Sequence, residues 1–126
     1  MKYVDGFLLP VEKKKLSAYR KMAGMGGKLW KRHGALEYFE CVGDDLYPKS
    51  MGMEIARFPK VMKLKKGEVP VFSFIVYRSR AHRDAVIEKV NREMSELMKD
   101  PKHNDMAMPF DVKRMAYGGF KAIVEG

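Results

Sequence analysis

The chain has 126 residues, of which 46% are hydrophobic, and this suits a single domain with one core that spans residues 1–126. Its formal net charge of +9 is compatible with an acidic partner, such as nucleic acid, an anionic membrane or an acidic small molecule, although the Lys and Arg residues are scattered along the chain. A lone cysteine, Cys41, excludes an intrachain disulfide, and no stretch approaches the roughly 20 apolar residues that span a bilayer, so we expect a cytoplasmic protein without a membrane partner.

The first predicted strand, residues 3–9, is apolar on both faces except at Asp5. A carboxylate in an apolar strand needs a partner, so we expect Asp5 either to bond a turn or a basic side chain, or to line a cavity. Pro10 is expected to end this strand, and a helix of about 20 residues then runs to His33. The side chains predicted to point inward from this helix are Leu16, Tyr19, Ala23, Leu29 and Trp30.

Three glycines, Gly24, Gly26 and Gly27, lie within this first helix. Each lowers the stability of the helix by roughly 0.8–1 kcal/mol relative to alanine. Either the helix kinks there, or its backbone lies close to another element or a ligand. His33 and Gly34 are typical of a helix C-terminus, with the imidazole against the negative end of the helix dipole.

The middle of the chain is predicted to add further strands, beginning with residues 35–42. The next connection, residues 46–59, is too long for a tight hairpin and is a candidate lid or dimer contact. A short strand is expected over residues 61–64. Residues 71–77 are β-branched or aromatic except for Ser73, which is typical of a strand buried on both faces.

A second helix is predicted over residues 81–98, after an N-cap at Ser79. Its apolar face is expected to comprise Ala81, Ala85, Val86, Val90, Met94, Leu97 and Met98. Basic side chains crowd its N-terminus, although that end of a helix prefers acidic neighbours. This basic cluster consists of Arg78, Arg80, His82 and Arg83. It suits a phosphate or carboxylate ligand, or else its members pair with acidic residues in solvent or across a subunit contact.

The last strand is predicted over residues 114–124, with a bulge or a close backbone approach at Gly118 and Gly119. The order of elements predicts an α+β, ferredoxin-like βαββαβ fold, with an antiparallel sheet and two helices on one face. Because the strands are apolar on both faces, the other face would be a large apolar patch of the kind that marks an interface. We therefore predict a homodimer joined sheet to sheet.

Several stretches resemble a known family. They are MKYVDGF at the start, VFSFIVY with SRAHRD in the centre, and MPFDVKRMAYGGF near the end. Over nearly the whole chain they are similar to the YbaA-like family of domains of unknown function, within the dimeric α+β barrel superfamily. The resemblance implies the same fold and dimer, and it implies no particular reaction or catalytic residue.

The first functional hypothesis is a protein that binds or acts on a small anionic or aromatic molecule in a cavity between sheet and helices. This resembles other branches of the superfamily, such as monooxygenases and isomerases. The candidate catalytic side chains are His33, His82 and Asp5, and the candidate ligand-binding side chains are Arg80, Arg83, Tyr77 and Tyr117. In such a cavity a histidine would act as general base and an arginine would stabilise an oxyanion.

The alternative hypothesis is a basic interaction protein that associates with nucleic acid through its charge. The sequence has no RNP-like aromatic signature, and its aliphatic-rich sheet face suits a dimer better than base stacking, so nucleic acid is the weaker hypothesis. No cofactor is expected, because phosphate-loop, GxGxxG and HExxH motifs are absent. His33, His82 and His103 are too dispersed to predict a metal site, and the run 103–105 is at best a weak hint of one.

Overall fold

The computed structural model describes residues 1–102 and 108–126, and it contains one four-stranded antiparallel sheet with the strand order β2-β3-β1-β4. The elements are β1 (Tyr3–Glu12), α1 (Leu16–Arg32), β2 (Glu37–Val42), α2 (Phe58–Val61), β3 (Glu68–Tyr77), α3 (Arg80–Met98) and β4 (Ala116–Lys121), with short 3₁₀ turns at Lys13–Lys15 and Val112–Arg114. Apart from the single turn α2, this is the predicted βαββαβ order, so the ferredoxin-like α+β fold is confirmed.

The first strand continues past Pro10, so the prediction that this proline ends it is wrong. Pro10 lies opposite Pro70 in the β1–β3 ladder, and neither residue has an N–H group to donate. The carbonyl oxygen of Pro70 points the other way and accepts from the Gly43 N–H at 2.8 Å. On the outer side of β1, pairing with β4 stops at Leu8. Pro10 therefore occupies a position where no neighbouring strand needs a donor.

The short strand predicted over residues 61–64 is also wrong, because Val61 is the last residue of the helical turn α2 and a turn follows it. Pro59 lies in the first turn of α2, where a missing N–H costs nothing, and its carbonyl accepts from the Leu64 N–H at 2.9 Å. Lys63 has a positive φ of 52°, which turns the chain toward β3. The last strand is shorter than predicted, since Arg114 lies in a 3₁₀ turn and pairs bidentately with Glu68 at 2.6 and 2.9 Å.

The core lies between the sheet and the two long helices. Its buried apolar side chains are Leu9, Val11, Val71, Ile75 and Tyr77 from the central strands, with Tyr19, Ala23, Leu29, Ala35, Val86 and Val90 from the helices and the turn after α1. On α3 only Val86 and Val90 are buried. The other predicted inward positions, Ala81, Ala85, Met94, Leu97 and Met98, are exposed. A helical repeat identifies the apolar face of a helix but does not show how much of it another element covers.

The opposite face of the sheet, here called the uncovered face, has no helix over it in the described residues. It carries the apolar side chains Val4, Leu8, Phe39, Phe72, Phe74 and Phe120. Phe72 is 48% exposed and Phe120 is 63% exposed. Phe39 stacks on Phe74 with ring centroids 5.1 Å apart. The expectation that these strands are apolar on both faces is therefore confirmed.

Gly118 and Gly119 pair in regular register with β1, so the bulge alternative is wrong and the close-approach alternative is correct. A Cβ on Gly119 would overlap the Tyr3 hydroxyl. Gly118 lies directly opposite Gly6, whose own Cβ would lie 3.3 Å from the Phe120 ring. The glycines therefore make room for aromatic side chains on both faces of the β1–β4 pair.

Candidate functional site

Asp5 is 1% exposed, and its main contact is Arg83 from the first turns of α3. The Arg83 Nη1 group donates to Asp5 Oδ1 at 2.7 Å and to the Tyr117 hydroxyl at 3.2 Å. Arg83 Nε donates to Asp84 Oδ1 at 2.7 Å. Ser79 begins the helix as predicted, accepting from the His82 N–H. The structure thus brings Asp5, Arg83 and Tyr117 together, and the expected basic partner of Asp5 is Arg83.

Burial determines the electrostatics of this ion pair. It raises the pKa of the Asp5 carboxyl, because desolvation outweighs the attraction of Arg83. Burial, and after it the negative charge of Asp5, raises the pKa of Tyr77 and of Tyr117. Asp5 Oδ2 has no hydrogen-bond partner among the described residues. The cluster is therefore an enclosed ion pair, with the hydroxyls of Tyr77 and Tyr117 beside the Asp5 carboxylate.

The His82 side chain binds the backbone just before the start of α3. Its Nδ1 accepts from the Arg78 N–H at 3.0 Å, and its ring meets the Tyr77 ring edge-on at 5.9 Å. Burial, together with the positive charges of Arg78 and Lys89, lowers the pKa of His82. Trp30 Nε1 donates to the Tyr77 hydroxyl at 3.1 Å. His82 is thus a neutral imidazole at neutral pH, held by the backbone of the β3–α3 junction.

Two candidate side chains stand apart from Asp5. His33 Nε2 lies 3.1 Å from Glu93 Oε1, and Arg32 bonds the same carboxylate. Glu93 is ten residues beyond Arg83 on α3, roughly 15 Å along the helix axis at 1.5 Å per residue. Arg80 is the first residue of α3 and is exposed. The weak metal hint at 103–105 lies outside the described residues.

A groove of about 810 Å³ runs between α1 and β2, and sequence reasoning did not predict its position. The residues of α1 that line it recur at three- and four-residue steps and so share one face: Leu16, Tyr19, Arg20, Ala23, Gly24, Gly27, Lys28 and Lys31. From the sheet it is lined by β2 (Glu37–Val42) and by Val71. Gly24 and Gly27 have no side chains to fill this space, so the groove stays open.

Three hydroxyl groups converge on the Glu40 carboxylate in this groove. Tyr19 donates to Oε1 and Tyr38 to Oε2, each at 2.7 Å, and Ser73 also donates to Oε1. Burial and the bond to Glu40 raise the pKa of Tyr19 and of Tyr38, so both hydroxyls stay protonated over the physiological range. We call these four residues the hydroxyl cluster.

The hydroxyl cluster was missed because its members look unremarkable in sequence. Tyr19 fits the apolar repeat of α1, and Glu40 and Ser73 are single polar residues in two different strands. Pairing of β2 with β3 places Glu40 directly opposite Ser73. The available signal was that each of these two residues interrupts an apolar or aromatic run, as Asp5 does in β1.

The glycines of α1 belong to the same arrangement, and α1 is continuous from Leu16 to Arg32. A Cβ on Gly27 would lie 3.0 Å from Tyr38 Cδ1, and one on Gly26 would lie 3.2 Å from the Tyr38 hydroxyl oxygen. A Cβ on Gly24 would have no described atom within 4 Å. Of the two alternatives from the sequence, close approach is therefore the one observed at Gly26 and Gly27.

The same substitution at two of these glycines is expected to have opposite effects on stability. Gly24→Ala should raise the free energy of unfolding by roughly 0.8 kcal/mol, because alanine favours a helix and nothing obstructs its Cβ. Gly27→Ala gains the same propensity but displaces the Tyr38 ring, so we expect a net loss of stability. Urea unfolding of both variants at one protein concentration measures the difference. Equal stabilisation would mean that the Tyr38 ring is not held in place.

These features define the class of protein: a small α+β protein of ferredoxin-like topology with a polar groove between α1 and β2. The chain belongs to the family described as "Protein of unknown function (DUF1428)", whose profile matches residues 2–112. It is 40% identical over 127 residues to proteins named "Uncharacterized protein YbaA" from Escherichia coli (strain K12) and from Shigella flexneri, covering 99% of each chain. The predicted family resemblance is confirmed.

A solved structure supports the fold independently of close sequence similarity. It is described as a dimeric ferredoxin-like protein from an uncultured marine organism, and the match covers 99% of this chain and 98% of that one. The TM-score is 0.53 at 11% sequence identity, which shows a shared fold. Within residues 1–102 and 108–126, no helix is both long and apolar enough to cross a membrane.

Proposed function

We propose that this protein binds a small molecule in the groove between α1 and β2. The observation that carries the proposal is the Glu40 carboxylate, which three hydroxyls orient within an open groove of about 810 Å³. Ligand sites are typically roughly 300–1,000 Å³ and combine apolar walls with a few convergent polar groups. A groove of this size, with an ordered carboxylate in it, fits that description.

The side chains around the groove favour a ligand that is anionic, aromatic or both. Arg20, Lys28 and Lys31 from α1 supply positive charge to one wall. The rings of Tyr19 and Tyr38 supply aromatic surface. This agrees with the hypothesis of a cavity between sheet and helices. None of the candidate catalytic or ligand-binding side chains predicted from the sequence lines the groove. A catalytic role for Asp5, His33 or His82 stays a prediction.

A thermal-shift screen with a blocked variant tests the proposal. Gly24→Met should extend a side chain into the groove without a clash at its Cβ, and methionine favours a helix. A ligand of the groove should raise the melting temperature of the wild-type protein and leave that of Gly24→Met unchanged. Lys21→Met is the matched control, since Lys21 is an exposed residue of α1 that does not line the groove. Ligands that stabilise Gly24→Met as strongly as wild type would place the site elsewhere.

We also infer that the protein is a homodimer joined through the uncovered face. The exposed rings of Phe72 and Phe120 and the stack of Phe39 on Phe74 support this inference. Exposed apolar patches of this kind usually mark an interface. The structural relative described as dimeric agrees with it. The predicted lid or dimer contact in residues 46–59 stays a prediction.

A cytoplasmic location is part of the proposal, because the lone Cys41 is exposed and unpaired, which suits a reducing compartment. Association with nucleic acid remains the alternative, and it rests on the net charge of +9 alone. RNA binding that falls steeply with salt, together with no ligand from the screen, would favour that alternative.

A further inference from the structure

We propose that the ligand of the groove carries both a protonated amine, which binds Glu40, and a carboxylate, which binds the basic wall of α1; the ligand class is therefore the small amino carboxylates. This inference rests on the proposed function of the groove and adds the chemical class of its occupant. Glu40 has bonding capacity and negative charge that its protein partners do not use, and cations share the groove with it.

Glu40 retains one site for a hydrogen-bond donor. A carboxylate offers about four lone-pair sites, two on each oxygen. Oε1 accepts from Tyr19 and Ser73, whereas Oε2 accepts from Tyr38 alone. Glu40 lines the groove, so we assign the remaining lone-pair site of Oε2 to a donor on the ligand.

The charge of Glu40 favours a cation at that position. All three of its donors are neutral hydroxyls, and no Lys, Arg or His forms an ion pair with Glu40 in the part of the chain that the structure describes. A partly buried carboxylate without a counter-charge is costly, and a charge-assisted hydrogen bond is roughly twice as strong as a neutral one. An ammonium group fills the vacant site and also supplies the missing charge, whereas a neutral hydroxyl only fills the site.

The other wall of the groove has the opposite sign. The Lys31 Nζ group already donates to the Leu36 carbonyl at 2.7 Å, so Arg20 and Lys28 are the remaining described cations that line the groove. They are eight residues apart on the same face of α1, which is roughly 12 Å along the helix axis. An acidic site and basic side chains within one groove match a ligand that carries charges of both signs.

The experiment is a calorimetric titration of the 126-residue protein with the twenty standard L-amino acids. Each amino acid that binds is then compared with its deaminated acid and its decarboxylated amine. We expect both truncated analogues to bind at least roughly tenfold more weakly, since each loses a charged hydrogen bond. Glu40→Gln removes the charge at nearly constant shape. It should lower the affinity for the amino acid by roughly tenfold to hundredfold.

Two further variants distinguish a lost contact from a damaged fold. Glu96→Gln removes the same charge from an exposed residue of α3 that does not line the groove, and it should leave affinity within a few fold. Tyr38→Phe removes one donor to Glu40 but keeps the carboxylate, so affinity for the amino acid should fall less than in Glu40→Gln. Melting temperatures of all variants show whether each one is folded.

The possible failures are separable. No binding by any amino acid, or full affinity of the deaminated acids together with an unaffected Glu40→Gln, would overturn the assignment of the amino carboxylates. In the second case the proposed groove still stands if Gly24→Met abolishes binding of the deaminated acid. Binding that survives in Gly24→Met would overturn the groove as the site, and this inference with it.

Discussion

Replacing Asp5 by alanine is expected to lower the free energy of unfolding by about 3 kcal/mol. Asp5 is 1% exposed, and the Arg83 side chain that bonds it is 13% exposed. Removing the carboxylate leaves a nearly buried guanidinium with only the exposed Asp84 carboxylate as counter-charge, and breaking one half of a buried pair costs more than the intact pair contributes. The pair also joins β1 to α3, so its loss should weaken the attachment of that helix to the sheet. Equilibrium unfolding in urea at a fixed protein concentration measures the change.

Glu88→Ala is the matched control for this prediction. The pair between Glu88 and Arg92 is also an acidic–basic contact of α3, but both of its side chains are exposed, so we expect a loss below about 0.5 kcal/mol. The double variant Asp5→Ala/Arg83→Met should recover part of the stability, because no unpaired charge remains buried. If Asp5→Ala costs no more than Glu88→Ala, Asp84 alone must satisfy Arg83.

The second large effect is expected on the oligomeric state. Phe72→Asp should convert the proposed dimer into a monomer, because it places an unpaired carboxylate within an apolar interface. We expect this to cost roughly 3 kcal/mol or more of dimerisation free energy, which raises the dissociation constant by about a hundredfold or more. Sedimentation equilibrium should show the mass falling from twice the chain mass of 14.5 kDa to that of a single chain. Phe72 is half exposed in the protomer, so the fold itself should survive the change.

Met94→Asp is the control for this experiment. Met94 is an exposed apolar residue of α3, on the other side of the sheet from Phe72, and the variant should remain dimeric. A Phe72→Asp protein that still sediments as a dimer would mean that another surface forms the interface. A wild-type protein that is monomeric at micromolar concentration would overturn the proposed dimer altogether.

The sequence by itself determined the fold class and several local features. Apolar runs of strand length alternate with helical repeats in the βαββαβ order, and these patterns arise from local periodicity. The Ser79 cap and the end of α1 near His33 were also predictable, since each depends on a few neighbouring residues. Local patterns gave the wrong secondary structure at Pro10 and at residues 61–64, because neighbouring parts of the fold determine it there.

Only the tertiary structure decided which polar residues meet. Asp5 and Arg83 are separated by 78 positions, and Glu40 and Ser73 by 33. Glu40 faces Ser73 because of the register between β2 and β3, and a slip of one residue would turn every side chain of a strand to the other face of the sheet. The groove depends further on α1 presenting Gly24 and Gly27 toward β2. Register and helix placement result from the packing of the whole core, so no short stretch of sequence contains them.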